Sequence, residues 1–178
     1  MAGAGDPFGR MNSRETFNGP SEQQIWQELQ GLELPAYPAS DRDGWLRFET
    51  TAATKNRFFI DRGSISAAED GVVRYALIIE SPSGVRNISY EGMRCKTAEL
   101  KQYAWGTADG KWFEARSPQW RPIVVDRVNA QHAVLYERYL CNPDARGKVE
   151  LIVKLLQSKD GRDLRSPASV NPARIFAH

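Results

Sequence analysis

Between Asp70 and Pro122 the order of side chains leaves little freedom in local structure. Val73, Tyr75, Leu77 and Ile79 alternate with Arg74, Ala76, Ile78 and Glu80, a period of two that puts one set on each face of a β-strand. Both sets are largely apolar, which places this strand at the centre of a sheet rather than at an edge. Ser81-Pro82-Ser83-Gly84 follows, with a fixed φ at proline and a glycine free to take positive φ, and reverses the chain into Val85 to Glu91. A third strand is predicted from Thr97 to Gly106, with Tyr103 and Trp105 on one face. Thr107-Ala108-Asp109-Gly110 then forms a tight turn into Lys111 to Ala115. The pattern is that of an antiparallel meander.

Further elements flank this meander on both sides. Trp45 to Glu49 and Arg57 to Asp61 form a further hairpin, and Ile65 to Ala67 one more short strand. Ser21-Glu22-Gln23-Gln24 has the capping pattern for a short helix carrying Ile25, Trp26 and Leu29. Leu34-Pro35-Ala36-Tyr37-Pro38 must be extended, because each proline keeps the residue before it out of helical geometry. Beyond the brief apolar run Ile123 to Val125, Asn129 is placed to cap a helix whose face is His132, Leu135, Tyr136 and Tyr139. Asn142-Pro143-Asp144 repeats the start signal for a second helix to about Ser158, with a strand over Val149 to Leu155 as the alternative. The fold class is therefore α+β, a sheet meander with C-terminal helices packed against it. Residues 1–20 read as an arm, 21–160 as a single domain and 161–178 as a tail, since neither end has an apolar period.

Whole-chain properties narrow the function classes. A length of 178 residues suffices for one domain with a full core. The formal net charge of +2, with charges interspersed, gives no strong sign of a nucleic-acid partner. No run reaches the roughly 20 apolar residues that span a bilayer, and the first residues lack the apolar core of a signal peptide. Two cysteines and two histidines make no zinc site, and neither Gly63-Ser64-Ile65-Ser66 nor Ser81-Pro82-Ser83-Gly84 forms a nucleophile elbow. Gly3-Ala4-Gly5 lacks the strand and helix that a nucleotide-binding turn needs. No cofactor is expected.

Three groups of residues remain as candidates. Cys95 and Cys141 stand 46 positions apart and read either as a bridge across the core or as two buried thiols, the bridge being preferred. Arg94, Trp105, Trp112, Arg116, Trp120 and Arg121 form an aromatic and cationic group suited to stacking and anion pairing. The competing reading makes the tryptophans core and pairs the arginines with Glu91 and Glu114. Tyr90, Glu91, Arg94, Arg116 and His132 are the polar residues from which an enzyme site without a motif would be built, although His132 is read first as a helix-face packing residue. Weak single-strand nucleic-acid binding through Trp105, Trp112 and Arg116 is a third option.

The strings Asp70 to Tyr75, Ser83 to Cys95 and Trp112 to Trp120, with Leu34-Pro35 and Tyr139-Leu140-Cys141, resemble the cryptic neisserial protein-like family over roughly Ile25 to Cys141. The resemblance implies a small exported protein of Gram-negative bacteria, periplasmic or associated with the outer membrane, with its signal peptide removed. It implies a location rather than an activity. Within that location the chain is expected to be a non-catalytic envelope protein that binds an unidentified envelope component, and an oxidising compartment suits a Cys95 to Cys141 bridge.

Overall fold

The computed structural model describes residues 25–50, 53–124 and 130–158. The predicted arm and tail, and the caps Ser21 to Gln24 and Asn129, lie outside the described residues. Seven strands form one antiparallel sheet: β1 (Trp45–Phe48), β2 (Arg57–Ala67), β3 (Val72–Glu80), β4 (Arg86–Arg94), β5 (Glu99–Gly106), β6 (Trp112–Glu114) and β7 (Arg121–Pro122). Their order is β1-β2-β3-β4-β5-β6, with β7 pairing the far end of β5. The sheet is thus the expected meander. Gly84 at φ 85° and Gly110 at φ 77° sit in two of its turns, in backbone that an L side chain would strain.

Two irregularities change which side chains face which way. β2 is one strand rather than two short ones, because it absorbs a bulge between Asp61 and Ser66. There Ser64 Oγ accepts from the Ala76 N–H at 2.7 Å and donates to the Asp61 carbonyl, so a hydroxyl completes the ladder. A second bulge lies where Tyr90 pairs with Ala104 but Glu91 pairs with Gln102. Tyr103 is the extra residue. The phase of β5 therefore slips, and Tyr103 and Trp105, expected on one face, point to opposite faces. Tyr103 lies over Gly92, where a Cβ would sit 2.6 Å from its hydroxyl.

One face of the sheet carries the helices. α1 (Ala130–Val134) runs directly into a π-helical segment (Leu135–Leu140), and α2 (Val149–Gln157) packs across β1 and β2. Val73, Tyr75, Leu77 and Met93 meet Leu135, Tyr139, Leu140, Ile152 and Leu155 in this core. At about 25 cal/mol per Å² of apolar surface, each such buried side chain contributes roughly 1.5–3 kcal/mol. α2 is the predicted helix, but it begins at Val149 and not at Asn142. The Asn142 side chain accepts from the Asp144 N–H in a local turn, and Gly147 at φ 74° interrupts helical geometry before Val149. Cys95, just past β4, is joined to Cys141, just past the π-helical segment, with Cα atoms 5.3 Å apart.

The other face is covered by residues 25–38, an extended strap without helix or strand. The helix predicted around Ile25, Trp26 and Leu29 does not form in the described part. Trp26 Nε1 donates to the Asp70 carbonyl at 2.7 Å and the Leu29 N–H donates to the Asp70 carboxylate at 2.9 Å, so long-range partners replace the helical ones. Further along, Trp112 Nε1 donates to the Pro35 carbonyl, and the Tyr37 and Trp112 rings pack at 5.0 Å. Beneath the strap, Arg74 is 1% exposed and forked onto Asp70, while Glu28 accepts from Lys101 and Tyr103. At the sheet's end Glu80 is inaccessible under Arg42, Arg57 and Arg86. Burial alone would raise its carboxyl, but the three guanidinium groups outweigh that and hold it below the ordinary value.

Candidate functional site

The helices form one core with β1 to β4, and Leu100 at the start of β5 packs at its margin, whereas Trp105 at the other end of β5 is left half-exposed. On the same face the chain from Ala115 to Val124 leaves the sheet edge after β6, loops outward and returns as β7. Between this loop and α1 lies a cleft of about 670 Å³, bounded by Leu100, Gln102, Trp105, Pro118, Ile123 and His132. A second hollow of about 300 Å³ adjoins it and shares Gln102, Trp105 and His132, with Glu91 at its base. Trp105 is 42% exposed here, its indole beside the Phe113 ring at 6.3 Å. An indole left this open on a well-packed sheet is a surface for stacking.

The polar floor is built by strand register and helix phase. Tyr75 and Glu91 are directly paired on β3 and β4 and point to the helical face. Glu91 is 4% exposed and accepts from Tyr75 Oη at 3.0 Å and from Ser89 Oγ at 2.7 Å. His132, on α1 and 13% exposed at its side chain, places Nε2 2.9 Å from Glu91 Oε2. Burial disfavours the Glu91 carboxylate, but the His132 charge and the three hydrogen bonds outweigh it and hold the group below its ordinary value. Burial likewise opposes the charge on His132, and Glu91 reverses this to raise the imidazole above its ordinary value. Burial and the neighbouring carboxylate push the Tyr75 phenol well up, so it remains a donor. Each partner thus favours the charged form of the other, the carboxylate of Glu91 and the imidazolium of His132, where the two hollows meet.

The candidate residues fall on two sides of the sheet. Trp105, Arg116 and Arg121 line the cleft, as does His132. Arg94, Trp112 and Trp120 lie under the strap. The Arg94 guanidinium stacks on Trp26 at 3.7 Å and pairs with Glu99, and the Trp120 ring meets Trp26 edge-on at 5.8 Å. Trp112 is held by Tyr37, Tyr90 and Pro35. Tyr90 also faces the strap, near Tyr103. Of the polar set, Glu91 and His132 meet and Arg116 shares their cleft, whereas Tyr90 and Arg94 are on the other face. Glu91 pairs with His132 and not with an arginine, and neither Arg116 nor Arg121 has an ion-pair partner among the described residues. His132 is thus more than a packing residue.

Tyr75, Ser89 and Gln102 belong to this site and were not among the candidates. One signal for them is present in the sequence: Glu91 stands in phase with Ser89 and Met93 on β4, so a core-facing strand set contains a carboxylate that must find donors. The Gln102 orientation depends on the bulge at Tyr103 and has no such signal. Among the described residues no group of side chains is arranged to hold a metal ion, and no helix is long and apolar enough to cross a membrane.

Comparison with known proteins agrees with the resemblance in the sequence. The model of the CNP1-like family matches residues 21–157. Cryptic neisserial protein 1 of Neisseria gonorrhoeae is 29% identical over 145 residues, covering 73% of this chain and 71% of that protein. No solved structure matches.

Proposed function

Because the chain belongs to the CNP1-like family, whose matched region takes in the whole sheet and both helices, we propose that it is a non-catalytic binding protein of the Gram-negative cell envelope with the cleft beside β5 as its ligand site. The observation that carries this reading is the open hollow of about 670 Å³ against a half-exposed Trp105 and a polar floor. Binding sites commonly combine an apolar wall with a few fixed polar groups. The Cys95 to Cys141 bridge supports a location outside the reducing cytoplasm. A chemically diverse fragment library, followed by amide and indole NMR shifts, tests the site. Shifts clustering on Gln102, Trp105 and His132 support the reading, and shifts scattered elsewhere or absent reject it. Fractionation of cells expressing the gene with its own upstream sequence tests the location, which a cytoplasmic, reduced protein would overturn.

A second reading rests on the Glu91 and His132 pair. A carboxylate that orients an imidazole at a cleft is the arrangement used for general acid and base chemistry. Hydrolase panels comparing the protein with His132→Asn decide it: an activity lost in the variant favours an enzyme, and equal inactivity removes the idea.

A further inference from the structure

Resting on the cleft as the ligand site, we infer that its ligand is a small organic anion, a carboxylate with a flat or apolar body, whose charged end meets His132, Arg116 and Arg121 while its body lies over Trp105. The charges around the cleft carry this. Arg116, Arg121 and His132 line it, and among the described residues no acidic side chain lines its 670 Å³ part. Glu91, at the base of the adjoining hollow, is already committed to His132, Tyr75 and Ser89. With Nε2 bonded to Glu91, Nδ1 is the ring nitrogen left to meet a ligand. In the imidazolium form it is a donor, and a charge-assisted bond from it to a carboxylate is about twice as strong as a neutral one. The two arginines, unpaired among the described residues, supply planar forks that match a carboxylate. Leu100, Pro118 and Ile123 give the cleft an apolar lining, and Trp105 offers an indole face. A doubly polar ligand would leave that wall unused, and a wholly apolar one would strip water from the imidazolium without replacing it.

The recognition is pH dependent. Among the described residues, His132 is bonded to Glu91 from β4 with Tyr75 behind it on β3, and shares its cleft with Arg116 and Arg121 from the chain between β6 and β7 and the neutral Gln102 from β5. Deprotonation of His132 removes the buried donor while the arginines stay charged, so affinity for the anion falls as pH rises through the raised imidazole value.

The probes are 2-naphthoate and its neutral counterpart 2-naphthamide, titrated into the full chain at about pH 6 and about pH 9, with Trp105 indole and His132 imidazole NMR signals as readouts. Naphthoate is expected to bind about tenfold tighter than naphthamide at the lower pH, with the preference shrinking several-fold at the higher. Arg116→Ala with Arg121→Ala, two exposed positions, should reduce naphthoate affinity about tenfold and leave naphthamide unchanged. Equal binding of both probes in the cleft overturns the anion and leaves the cleft as a binding site. Binding of neither, with no hit from the fragment library at the same signals, overturns both.

Discussion

Glu91 and His132 stand 41 residues apart, one on the sheet and one on the helix above it, and their side chains meet at 2.9 Å beneath an open cleft. Because each partner shifts the other's ionisation in the folded state, their contact is also a dependence of stability on pH. His132 is raised, so its contribution is complete below its ordinary value of 6.5 and is lost as pH climbs through the folded value. Glu91 is depressed, so its contribution is complete above its ordinary 4.5 and is lost as pH falls through the folded value. Thermal melts across pH should peak between those two ordinary values. A profile that keeps rising through the alkaline side would contradict the pair.

Replacing Glu91 with Gln leaves a buried imidazole without its counter-charge. The variant should lose about 3 kcal/mol near pH 6, with a smaller loss where the imidazole is neutral. Chemical denaturation at two pH values checks this, and a loss independent of pH would assign the effect to Tyr75 and Ser89 instead.

The bridge between Cys95 and Cys141 closes a separation of 46 residues. In the chain-entropy account a loop of that size contributes roughly 4 kcal/mol. Cys141→Ser should lower stability by about that amount. Hydrogen exchange should show amides of the π-helical segment and α2 opening before those of β3 and β4, since the hairpins retain their own ladders. Uniform opening of both layers would show that the bridge does not separate them.

Gly92 has no positive φ, and its lack of a side chain serves the ring of Tyr103. Tyr103 donates to Glu28 and cannot swing aside without breaking that bond. Gly92→Ala should therefore cost about 1–3 kcal/mol through overcrowding. Combined with Tyr103→Ala the two losses should fall short of additive, because the clash disappears with the ring. Strict additivity measured by denaturant titration would mean that the ring and Gly92 are not in contact.

Much of the sheet was legible because its cause is local. Alternation in β3, the Ser81 to Gly84 and Asp109-Gly110 turns, and the Trp45 hairpin all depend on neighbours within a few residues. What escaped depends on distant partners. The helix expected near Trp26 loses to Asp70, 44 positions away, and the face of Trp105 is set by one extra residue in β5. The aromatic and arginine group suffered for the same reason. Spread over residues 94–121, it straddles a sheet edge, so Trp112 and Trp120 become strap contacts while Trp105, Arg116 and Arg121 face the cleft. The Glu91 and His132 pair joins two layers whose docking no local pattern specifies.

The strap has a consequence for the order in which the molecule assembles. Strands β1 to β6 pair with their neighbours in sequence, so each of these hairpins closes a short loop and can form early. The strap's anchors reach across 44 positions from Trp26 to Asp70, 73 from Glu28 to Lys101 and 77 from Pro35 to Trp112. Each requires strands that are already side by side. Residues 25–38 are then the last part to dock and the first to leave, and the face of Arg74, Tyr90 and Trp112 is bare during that interval. During that interval, association with other chains competes with docking of the strap.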